Sequence, residues 1–118
     1  MRDRMAELMD EYRSTDADGL LIIIGEELTR GTTTLHSPQE LKGIALRFIS
    51  SCSANIRQAI CGKRGYLEND EAELAVAVAS TISESVPLTT ALLVGLYCAR
   101  RGVRWLCEHK GVADVDQR

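Results

Sequence analysis

At 118 residues, with 45% apolar and 26% charged side chains, the chain is long enough to bury a core and too apolar to stay disordered. A net charge of −3 gives no long-range pull toward nucleic acid or anionic lipid. One Trp, three Tyr and one Phe are too few for a base-stacking platform.

The first helix is expected over residues 2–13, where Met5, Leu8, Met9 and Tyr12 recur at helical spacing and Asp, Glu and Arg fill the opposite face. The opening "MRDRMAELMDEY" has none of the apolar core of a secretion signal, which points to the cytoplasm. "STDADG" then supplies residues that turn the chain and cap a helix.

"GLLIIIGEELTRG" reads two ways. Its run of Leu and Ile would suit a buried strand at residues 20–24, yet no second strand candidate exists to pair with it. Leu20, Leu21, Ile24 and Leu28 also fit a helical stripe over 20–30, with Gly31 placed as a C-cap. Helix is the favoured reading.

The helix over 38–61 is written most fully. Ser37 caps it, Pro38 occupies the first position and Glu40 completes a capping box. Leu41, Ile44, Ala45, Phe48, Ile49, Cys52, Ile56, Ala59 and Ile60 form one apolar face, with Cys52 at its centre. After the polar loop "GKRGYLEND", Asp70 and Glu73 form a second capping box for a helix over 71–85, apolar nearly all round in its middle. Pro87 introduces a last long helix over 88–109. The resulting expectation is an all-α, compact bundle of about five helices: one domain over 1–111 and a flexible tail over 112–118.

Cys52, Cys61, Cys98 and Cys107 lack C-x-x-C spacing, and no H-x-x-x-H accompanies them, so neither zinc nor any other cofactor is expected. Within each nine-residue pair the two side chains point to opposite helix faces. A chain this size without a secretion signal does not need bridges, and the cysteines read as core or half-buried thiols. The segments "CSANIRQAICGKRG" and "CARRGVRWLCEHKG" share this spacing and a final glycine. If that echo were a duplication, the fold would be two similar helical hairpins.

On a wheel, the last helix has a broad apolar arc opposite a narrow basic strip of Arg100, Arg101 and Arg104, with Tyr97 between them. Gly95 and Gly102 lie on the apolar side, where another backbone can approach. Leu93 and Val94 fall on the charged side and are the apolar residues expected to remain outward. No apolar run reaches the roughly 18–20 residues of a membrane span.

"RWLCEH" places His109 five residues after Arg104, about 140° around a helix from it. This resembles, in spacing and late position, the Arg-x4–6-His motif of the HEPN ribonucleases, an all-helical family in which two such motifs meet across a dimer. The resemblance implies His109 as acid/base and Arg104 as charge stabiliser at an RNA phosphodiester. It departs from the family at Trp105, where a polar residue usually follows the arginine. The favoured reading is simpler: a helix-end histidine beside solvated arginines whose charge suits the helix C-terminus. His36, before the cap at Ser37, has no carboxylate or cysteine neighbour in sequence.

These features point to a non-catalytic interaction module, adaptor, accessory or self-associating. A homodimer or a partner's helix would bind through Arg100, Arg101, Arg104, Leu93, Val94 and Tyr97. The metal-independent ribonuclease is the alternative. Nucleic-acid binding through the arginine strip is a weaker one, opposed by the overall charge.

Overall fold

The computed structural model describes residues 2–61 and 70–108, with the backbone alone at 103, 104 and 108. Helix α1 (Arg2–Glu11) buries Met5 and Leu8, one turn apart. Helix α2 (Ala17–Leu28) starts where Asp16 Oδ1 accepts from the Gly19 N–H at 2.8 Å. It buries Leu20, Leu21 and Ile24, the helical stripe, so the strand reading of residues 20–24 falls away. Thr29 ends it, its Oγ1 donating to the Gly25 carbonyl at 2.9 Å, and Gly31 turns the chain at φ 93°. Gly31 is therefore two residues past the cap.

Helix α3 (Pro38–Ile60) has the full capping box. The Glu40 N–H donates to Ser37 Oγ at 3.1 Å, and the Ser37 N–H donates to Glu40 Oε1 at 2.8 Å. That backbone donor favours the carboxylate and holds the Glu40 pKa below its ordinary value. The buried stripe is Leu41, Ala45, Ile49, Ser53, Ile56 and Ile60. Its centre differs from expectation by one residue. Ser53 is buried, its hydroxyl donating to the Ser50 carbonyl at 2.8 Å, while Cys52 sits half-buried at the edge. A hydroxyl bonded to its own helix can enter a core without an unpaired donor.

Helix α4 (Glu71–Ile82) begins at Asp70, whose Oδ1 accepts from the Glu73 N–H at 3.0 Å. The Glu73 carboxylate pairs with Arg2, tying α4 to α1. Helix α5 (Leu88–Arg101) follows Pro87 and is buried continuously from residue 90 to 99. The single long helix expected over 88–109 is broken. Gly102 takes φ 96° and ψ 153°, a region open essentially to glycine alone, and a short helix α6 (Val103–Glu108) begins after it.

Two helical hairpins, α2–α3 and α4–α5, make the most extensive contacts, and α1 lies against α4 and α5. Glycines set the closest approach in both hairpins. A Cβ at Gly25 would lie 2.3 Å from the Leu41 carbonyl oxygen, and one at Gly95 only 2.2 Å from that of Ala75. Helix α5 is thereby enclosed by α1, α2, α4 and α6. Leu92, Leu93, Val94 and Leu96 all enter one core, each contributing about 1.5–3 kcal/mol of burial. This corrects the expectation for Leu93 and Val94: the side of α5 they occupy is covered, not outward. No helix among the described residues is long and apolar enough to cross a membrane.

Candidate functional site

The expected basic strip divides at the α5–α6 junction. Arg100 turns toward the N-terminal helices, with Nη1 donating to the Thr15 carbonyl at 2.7 Å and Nε 3.6 Å from Glu71 Oε1. It lines a shallow cleft of about 530 Å3 together with Met9, Asp10, Arg13, Glu71 and Ala99. Asp10 and Arg13 pair with each other there. The cleft's described cations thus have carboxylate partners, which leaves little unbalanced positive charge for an anion.

Arg101 turns the other way. Its guanidinium lies 4.8 Å from the centroid of the Trp105 ring, a cation–π contact across the Gly102 break. Trp105 in turn meets Tyr97 edge-to-face, centroids 6.0 Å apart at 88°. Tyr97 is buried, and desolvation raises its phenol pKa against the opposing pull of the Arg101 charge. Of the residues expected to meet a partner, Leu93, Val94 and Tyr97 are therefore enclosed, Arg100 is engaged within the chain and Arg101 is exposed. For Arg104 only the backbone is described, within α6. His109 and the tail over 112–118 lie outside the described residues.

The cysteines depart furthest from the sequence reading. Cys61 and Cys107 form a disulfide across 46 residues, so that pair is bridged, contrary to the thiols expected. Cys52 and Cys98 remain free. Burial pushes the Cys98 thiol up to about 12, with a smaller contribution from Cys52 nearby. Such a thiol is a poor nucleophile at neutral pH. Between the two pairs, Arg57 Nε donates to the Leu106 carbonyl at 3.0 Å. Over their described residues, the two segments of the sequence echo therefore meet at both cysteine positions, with Cys61 bonded to Cys107 and Cys52 near Cys98. Their shared spacing was the available signal, though pairing of the segments could not be read from either alone.

His36 stands between two further shallow clefts, one reaching the end of α2 and one along the first turns of α3 with Arg47. Beside it, Leu35 is 94% exposed. Among the described residues, no three His, Cys, Asp or Glu side chains gather as a metal site. The described residues thus form an all-α domain and hold no obvious catalytic motif. Compared with known protein families, curated sequences and solved structures, the chain has no match.

Proposed function

We propose that this chain works as a non-catalytic helical interaction module, an adaptor or accessory subunit, or a self-associating one whose simplest assembly is a homodimer. The observation that carries the reading is the placement of large apolar side chains outside the core. Leu35 is 94%, Leu88 48% and Leu46 40% exposed, although the bundle encloses α5 without a gap from residue 90 to 99. Leu35 supports it most, because it stands on the segment between two helices where a partner can reach it. Single exposed leucines are common. The reading rests on Leu35 being nearly bare beside a half-buried histidine and the shallow clefts that flank it. Arg101 adds an exposed cation on the α5 end, suited to selecting a partner by charge.

The disulfide bears on location. Such bridges are uncommon in a reducing compartment. The Cys61–Cys107 bond favours an oxidising one or, in the cytoplasm expected from the sequence, a bond that opens and closes. Sedimentation velocity from low to high micromolar concentration tests the module reading. The wild-type chain is expected to associate, and Leu35→Ser to shift the equilibrium toward monomer. A chain that stays monomeric throughout removes the self-associating form. Unchanged association in Leu35→Ser moves the contact away from this segment.

A further inference from the structure

We propose that the Cys61–Cys107 disulfide is a redox-operated clasp that holds α6 across the C-terminal end of α3, so that reducing it releases α6 while α1–α5 stay folded. The inference rests on geometry and does not depend on the interaction reading.

Helix α6 spans six described residues, well short of the length at which a helix persists in water without tertiary support. It begins at a ready hinge. Gly102 adopts a torsion that costs other residues strain, and a side chain placed there would meet nothing within 4 Å. The backbone at the point where the chain leaves α5 is therefore not wedged by neighbouring side chains. Of the α6 side chains described, only Leu106 is buried, while Trp105 and Cys107 are half-buried. Among the described side chains, the noncovalent ties are the burial of Leu106, the Arg57–Leu106 hydrogen bond, the Arg101 contact with Trp105 and the Tyr97–Trp105 edge contact.

The rest of the bundle does not share this weakness. Its core is built of side chains from α1 to α5; among the described α6 side chains Leu106 is buried in it, and Trp105 and Cys107 pack against it. Releasing α6 withdraws Leu106, Trp105 and Cys107 from that core, while the contacts within the α2–α3 and α4–α5 hairpins do not involve it. The bridge is also reachable, since Cys61 and Cys107 are each half-buried. The other two cysteines offer no second clasp of this kind, because Cys98 is enclosed in the core.

The chemistry is a thiol–disulfide exchange with a dithiol reductant. One thiolate of the dithiol attacks a sulfur of the bridge and forms a mixed disulfide, and the other cysteine leaves as a thiolate that takes up a proton. The second thiol of the reductant then displaces the remaining cysteine. Two electrons and two protons end on Cys61 and Cys107, and the dithiol becomes a disulfide.

Trp105 is the chain's one tryptophan and lies on α6, so its fluorescence reports this segment alone. The full chain is compared oxidised, reduced with dithiothreitol, and as Cys61→Ser and Cys107→Ser, by acrylamide quenching and far-UV circular dichroism. Quenching is expected to rise about twofold on reduction and in both variants, as for a segment freed to local opening. The helical signal should lose no more than the share of α6, and reoxidation should restore protection in the wild-type chain only. Equal quenching in the oxidised and reduced chains would show that packing alone holds α6. Wholesale loss of helix on reduction would make the bond a staple of the entire fold. Either result, or four free thiols in the oxidised protein, overturns the clasp; if a serine variant does not fold, reduction of the wild-type chain still decides.

Discussion

The two glycines of the last apolar segment show how differently its two parts are held. Gly95 lies inside α5 in ordinary helical backbone, and its missing side chain lets the Ala75 carbonyl come close enough to seal the α4–α5 hairpin. A side chain at Gly102 would meet nothing within 4 Å, yet its torsion ends one helix and starts another. Upstream, α5 is secured by close packing on every side. Downstream, the described residues of α6 are held by the disulfide, the Arg57–Leu106 hydrogen bond, two ring contacts at Trp105 and the burial of Leu106. The same residue type therefore marks an approach in one place and a break in the other, and what separates them is space against torsion.

The largest test of this contrast lies in the packed part. Leu92→Ala removes a fully buried side chain from α5 and is expected to lower the unfolding free energy by about 3 kcal/mol, read by urea unfolding. Leu106→Ala, on α6, should cost well under that, because its segment can detach without opening the core. Comparable losses at both sites would mean that the two parts unfold as one. Gly95→Ala comes next. Its Cβ would press on a backbone oxygen rather than on a flexible side-chain tip, so the hairpin must separate, at about 2 kcal/mol. Gly102→Ala has open space but the wrong torsion and should cost about 1–2 kcal/mol. Its effect should appear in Trp105 quenching before it appears in the global unfolding curve. A variant at 102 as globally destabilising as one at 95 would break the contrast.

How much of this was legible in the sequence follows the range of the interaction concerned. Helix α3 was readable almost to the residue, because Ser37, Pro38 and Glu40 act on backbone groups within one turn. The helical reading of α2 held for a similar reason, through the local cap at Asp16 and the stripe that follows. Leu93 and Val94 were misplaced because a helical wheel orders residues around an axis but does not count the helices that will surround it. The wheel also assumed that the axis continued, whereas a glycine's torsion is not written in its letter. The Cys61–Cys107 bridge spans 46 residues, and only the packing of two hairpins brings those ends together. The arginine strip failed as a unit for the same reason: Arg100 is claimed by Thr15 and Glu71, both far along the chain.

The smallest expected effect sharpens the comparison at the level of single thiols. Cys52 lies half-buried at the edge of α3, while Cys98 is enclosed in α5. In the native, oxidised protein a water-soluble alkylating reagent at neutral pH should modify Cys52 and leave Cys98 until the chain unfolds. The sign of the pH dependence follows from the same burial. Unfolded, the Cys98 thiol ionises near its ordinary value of 9.0, whereas in the folded chain it keeps its proton up to about 12. Between those values the native state binds more protons than the unfolded one, so stability falls as pH rises, by about 1 kcal/mol by pH 10. Cys98→Ala removes the titrating group and should flatten that alkaline slope relative to the wild-type chain, whatever small cavity it leaves. An unchanged slope, or prompt labelling of Cys98 in the folded protein, would mean that the middle of α5 opens to water as readily as the segment beyond Gly102.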